Sequence, residues 1–187
     1  MGETLLLIDR QLFLWINHLP HNALLNGVNL LLSGIGTAGL VWFVLGVILI
    51  LKEEKKDLPA RASLRLLQAG HWFLAPIAVA GATSWVLVER IIKPWAARSR
   101  PSLEIGAIIV GDGRTDFSFP SGHATIAWAM AIVLSRKEPK WRWLFYTLAF
   151  LISFSRIYLG KHYPLDVVAG ALLGTAIGYT ARFVIDK

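Results

Sequence analysis

The sequence predicts an all-α integral membrane protein: a bundle of five transmembrane helices with an N-terminal amphipathic helix at the interface, or six if that helix also spans. Three observations lead there. Of 187 residues, 55% are hydrophobic and only 17% are charged, fewer than a soluble surface of this size carries. The run 28–51 holds no charge and is long enough to cross a hydrocarbon core of about 30 Å at about 1.5 Å per residue. The basic residues sit in short hydrophilic joints between apolar stretches. The length suits one compact membrane-embedded domain over 1–187.

The first element covers 4–17, where Leu5, Ile8, Leu12, Trp15 and Ile16 recur on or near one helical face. Asp9, Arg10, Gln11 and Asn17 interrupt it, so crossing the bilayer would bury charge at substantial cost. An interfacial helix avoids that cost. The segment lacks a basic leader, and Leu5 to Ile8 is too short for the apolar core of a cleaved signal. Five apolar spans follow, over 28–51, 72–92, 122–135, 141–154 and 164–183. The third and fourth are short for a full crossing, so their ends must extend into polar neighbours or lie among other helices. The fifth carries Gly170, Gly174 and Gly178, which either admit a close neighbour or reflect ordinary glycine content.

Charge sets an orientation. One side receives Lys52, Lys55, Lys56, Arg61, Arg65, Arg136, Lys137, Lys140, Arg142, Arg182 and Lys187 out of 19 Lys and Arg. The positive-inside rule makes that side cytoplasmic, together with the C-terminus. Segments 93–121 and 155–163 then share the outer face. The net charge of +7 forms no continuous basic face, so anionic lipid explains it better than nucleic acid. The absence of cysteine excludes disulfides, thiolate zinc sites and a cysteine nucleophile.

Polar groups concentrate at three outer helix ends. Lys93, Arg98 and Arg100 lie within eight residues and repel one another unless an anion compensates. Taken alone they read as a headgroup-touching surface cluster, although arginine also suits bidentate phosphate contact. In Pro120-Ser121-Gly122-His123 a loop ends and an apolar helix opens. Ser121 is placed to cap it, Gly122 lets an oxygen approach the backbone, and free N–H groups form an anion site beside His123. In the third segment Pro164 suits the first helical position, putting His162 just ahead of a helix and Asp166 in its first turn. Asp166 there either complements the helix dipole or accepts a hydrogen bond from one ring nitrogen of His162, leaving the other as a nucleophile. Arg156 adds a further phosphate contact. Such an inventory is what phosphoryl transfer needs, because catalysis there is positioning and charge stabilisation.

At these residues the sequence closely resembles the type 2 phosphatidic acid phosphatase (PAP2) superfamily, with its pattern K-x6-RP, PSGH and SR-x5-H-x3-D. Lys93, Arg100 and Pro101, then Pro120 to His123, then Ser155, Arg156, His162 and Asp166 fit without departure in type or spacing. The resemblance implies that His162 attacks phosphorus and becomes a phosphohistidine, with Asp166 orienting it. It implies that His123 protonates the leaving oxygen and then helps activate water. Lys93, Arg100, Arg156, Ser121 and the backbone at Gly122 would hold the phosphoryl oxygens, without a metal or other cofactor. Arg98, in the variable part of its motif, remains a possible headgroup contact. The substrate would be a lipid phosphate such as undecaprenyl diphosphate, phosphatidylglycerophosphate, phosphatidate or a lipid A phosphate. The location would be a bacterial cytoplasmic membrane, with the site facing outward. Loop 102–119, with its apolar run Ile105 to Val110, could dip into the outer leaflet or pack on the bundle. A phosphotransferase using the same intermediate, or a non-catalytic binder or transporter of anionic lipid, are the other readings. The two histidines argue against the latter. Monophosphate versus diphosphate and the oligomeric state are not legible.

Overall fold

A computed structural model of the chain describes residues 2–54, 75–113 and 115–185. Lys55, Lys56, Arg61, Arg65, Arg114, Lys187 and the start of the expected span 72–92 lie outside the described residues, as does most of the joint expected to be cytoplasmic. Seven helices carry the fold: α1 Gly2–Asn17, α2 Ala23–Gly36, α3 Leu40–Glu54, α4 Ala75–Ala96, α5 Gly122–Lys137, α6 Arg142–Tyr158 and α7 Pro164–Ile185. There is no strand among the described residues.

Among the described residues, two helices are long and apolar enough to cross a membrane, Ala75–Ala96 and the 18 residues Pro164–Ala181. A third crossing exists if Ala23–Gly36 and Val41–Leu49, bent by 67° against each other, form one broken span. The expected span 28–51 is therefore not one continuous helix. Gly34, Gly36 and Gly39 weaken it locally, and Gly39 adopts φ 76°, which a helix cannot contain. Helices α5 and α6, at 16 and 17 residues, reach beyond the apolar windows 122–135 and 141–154 into polar ends, and α5 is buried among its neighbours.

α5 is the central helix, packed on α7 and α6. Its buried face is mostly small: Ala124, Ala127, Ala129 and Ala131. The glycines of α7 lie against it. A methyl on Gly170 would come within 2.6 Å of the Ser121 carbonyl oxygen, and one on Gly178 within 2.7 Å of that of Ala129. One on Gly174 would strike the Thr125 carbonyl. The stripe is thus a backbone-to-backbone seam, the packing alternative of the two open in the sequence.

α4 widens to π-helical geometry over Val86–Ile92, directly before Pro94. The Lys93 N–H reaches back to Val88 O, and the wider turn relieves the clash a proline ring makes with the carbonyl four residues earlier. The widening also brings Glu89 and Lys93 to the mouth of the site.

α1 turns its apolar residues outward. Leu5, Leu6, Leu7 and Trp15 are exposed, whereas Asp9, Phe13 and Asn17, spaced by four, form the buried seam. Asn17 donates to the carbonyls of Ile108 (2.9 Å) and Tyr158 (2.8 Å) and accepts from Ile108 N–H (2.7 Å). The loop 102–119 therefore packs on the bundle through this segment, with Ala107 buried and Ile105 and Ile109 in one apolar cluster with Phe13, Ile157 and Val167.

Candidate active site

Four helix ends meet at one end of the bundle. Ser121 is the N-cap of α5, its hydroxyl accepting from Ala124 N–H at 3.5 Å. Its own N–H donates to Asp166 O at 2.9 Å, tying the starts of α5 and α7 together. His162 lies in the turn between α6 and α7, and Arg100 in the loop after α4. A cleft of about 440 Å³ opens here, lined among others by Glu89, Lys93, Arg100, Gly122, His123 and His162.

His162 divides the site. Its Nε2 faces the cleft, 3.1 Å from Arg100 Nη1. A guanidinium can only donate, so Nε2 is the unprotonated nitrogen and Nδ1 carries the hydrogen. Nδ1 points the other way, 3.6 Å from Asp166 Oδ2. The expected carboxylate thus stands behind the ring but beyond hydrogen-bond reach. Burial, then the nearby charges of Arg100, Arg156 and Lys93, hold the His162 pKa well below its ordinary 6.5.

On the cleft side the cations have partners the sequence reading did not name. Lys93 Nζ lies 2.8 and 2.9 Å from the Glu89 carboxylate oxygens and 2.9 Å from Asp116 Oδ2. Arg100 donates from Nη2 to Asp116 Oδ2 (3.0 Å) and from Nη1 to Lys161 O (2.7 Å). These are the anions that the basic cluster required. Glu89 also sits where Gly122 leaves room: a methyl there would come within 3.1 Å of Glu89 Oε1. His123 lies half-buried across the cleft with Nε2 3.4 Å from Thr37 Oγ1. Arg156 is buried, and its Nη1 donates to Ser33 Oγ of α2. Arg156 does not line this cleft as the other cations do.

Behind His162, Arg98 is engaged by acids of the protein itself. Its Nη1 donates to Asp166 Oδ1 at 2.6 Å and its Nη2 to Asp9 Oδ2 of α1 at 2.5 Å, with the guanidinium 4.3 Å over the Tyr163 ring. Burial would lower its pKa, but Asp166 and Asp9 outweigh that and raise it. In the sequence Asp9 shows only as a charge interrupting the apolar face of the N-terminal amphipathic helix. Glu89 is an acid inside the expected span 72–92, four residues before Lys93, and could have been flagged on that ground, whereas Asp116 lies in a polar loop and carried no signal.

The chain is similar to known proteins. The family model of the PAP2 superfamily matches residues 69–186. The undecaprenyl-diphosphatase of Sulfolobus acidocaldarius is 33% identical over 95% of this chain and 79% of its own length. A lipid A 4'-phosphatase of Bacteroides thetaiotaomicron is 34% identical over 65% of this chain and 60% of its own. Among solved structures, the LpxE protein of Aquifex aeolicus superposes with a TM-score of 0.72 at 29% identity, over 92% of this chain and 93% of that one. With residues 69–186 matched by the family model and 95% of its length by the Sulfolobus relative, this chain belongs to the PAP2 superfamily.

Proposed function

We propose that this protein is a membrane phosphatase that removes phosphate from a lipid through a phosphohistidine on His162. The observation that carries the reading is the orientation of His162, whose unprotonated Nε2 faces the cleft beside Arg100 while Nδ1 turns toward Asp166. The Nε2 lone pair forms a bond to phosphorus as the bond to the lipid oxygen breaks. His123, across the cleft, supplies the proton that the departing oxygen takes. Water then attacks phosphorus with His123 as base, the P–N bond breaks, and His162 returns neutral. Lys93 and Arg100 neutralise the phosphoryl oxygens, with the α5 N-terminus at Ser121 and Gly122 adding backbone donors. Arg156 contributes charge at a second remove. Asp166 orients the ring and balances the positive charge it acquires. No step requires a metal.

The substrates named for the relatives, undecaprenyl diphosphate and lipid A, support a polyprenyl or glycolipid phosphate as the class to test first. The reading includes a bilayer orientation with the cleft on the outer face of a bacterial cytoplasmic membrane, a cytoplasmic C-terminus, and five or six crossings. The detergent-purified protein should release phosphate from such lipids in the presence of EDTA and be inhibited by vanadate. His162→Ala should abolish release, by about 10⁴-fold or more, as loss of a covalent nucleophile does. Parental turnover by that variant would sink the proposal.

A further inference from the structure

Asp9 is a buried carboxylate that the reaction above does not use. It lies in α1, 2% exposed, and both its oxygens are committed. Oδ1 accepts from the backbone N–H of Leu165 at 2.8 Å, beside the first turn of α7. Oδ2 takes one terminal nitrogen of Arg98, whose other terminal nitrogen holds Asp166 Oδ1. Arg98 is packed in place by Tyr163, whose ring meets Phe13 of α1 edge-on at 5.3 Å. Asp166 Oδ2 is thereby left to accept Tyr163 N–H at 2.9 Å and to face His162 Nδ1.

The charge count matters more than the contacts. One guanidinium between two carboxylates leaves a net charge of minus one behind His162. An Arg98–Asp166 pair alone would be neutral. When Nε2 bonds phosphorus, the imidazole ring becomes cationic, and a net negative group on its Nδ1 side stabilises that state in a site where water cannot screen it.

We propose that Asp9 is a positioning residue of the reaction: acting through Arg98, it fixes the Asp166 carboxylate and keeps the group behind His162 net negative. The inference rests on the reading of His162 as nucleophile. It makes α1 a working part of the site.

The test uses the full chain in detergent, with Asp9→Asn retaining the acceptor for Leu165 N–H while losing the charge. Its kcat should fall by about 10- to 100-fold, with KM changed by less than about threefold, as for misplacement of a catalytic group. In an Asp166→Asn background the same substitution should add less than about twofold, because the effect passes through Asp166. Arg98→Lys, which keeps a charge but cannot fork to both carboxylates, should lose kcat similarly and serves if Asp9→Asn does not fold. Either variant, folded by thermal melting and with kcat within about twofold of the parent, overturns the inference, as does a loss confined to KM or full additivity with Asp166→Asn. His162→Ala run alongside separates the two levels. If it is inactive while Asp9→Asn is unimpaired, only the role of Asp9 fails. If it is active, the nucleophile itself was misassigned.

Discussion

The two sides of His162 neutralise their cations in opposite ways. On the cleft side, Lys93 and Arg100 are met by Glu89 and Asp116, whose side chains are 31% and 34% exposed. On the far side, Arg98 is met by Asp9 and Asp166, at 1% and 0%. A carboxylate about one-third exposed is screened by solvent and exchanges more readily with another anion, whereas a buried pair broken on one side leaves an uncompensated charge. On the proposed reading, the front can trade its carboxylates for a phosphoryl group. The back is built to keep its own.

That contrast can be broken by substitution. Asp166→Asn should lower kcat by about 10³-fold with a smaller change in KM, comparable in kind to neutralising the orienting carboxylate of a catalytic histidine; a steady-state comparison on one lipid substrate checks it. Arg100→Ala should cost about 10²-fold in kcat/KM, the scale of losing one donor to a developing oxyanion, and should weaken vanadate inhibition in parallel. The pH profile gives an intermediate test. Because the His162 pKa lies well below 6.5, its ring stays unprotonated as pH falls through that value, so the acidic limb of kcat/KM set by His162 should appear below 6.5 once substrate ionisation is allowed for. The smallest effect belongs to Asp116→Asn. It removes a competitor for the cations, so vanadate should bind about two- to fivefold more tightly, the range expected for a partly exposed pair. A loss of kcat at Asp116 as large as that at Asp166 would erase the distinction between front and back.

Much of the front was readable from the chain. Lys93, Arg100, His123 and His162 gather because each sits at the end of an apolar helix, and apolar runs with polar ends are local patterns. Ser121 as a cap and Pro164 as a helix start are equally local. The back was not readable in this way. Asp9 and Arg98 are 89 positions apart, and Arg98 and Asp166 are 68 apart. Periodicity showed Asp9 only as a blemish in an amphipathic helix, because the cost of burying a charge is decided by a partner elsewhere in the chain. The break at Thr37–Gly39 was hidden differently. Hydropathy stays high across it, and only the glycine spacing hints that a helix cannot continue. Pairing of Lys93 with both Glu89 and Asp116 combines a helical neighbour with a loop residue, and the sequence offers no rule for the second.

The glycine seam between α5 and α7 has a consequence for how such a protein can diversify. His123 begins one of these helices and His162 precedes the other, and the Ser121–Asp166 backbone bond joins their starts. The separation of the two histidines is thus gauged by main-chain contact, which carries no side-chain identity. On its opposite surface α7 presents Val168, Leu172 and Tyr179 to the surroundings. On the proposed reading, those positions could be exchanged to suit a thicker bilayer or a bulkier lipid tail, while the distance between the two histidines is left unchanged.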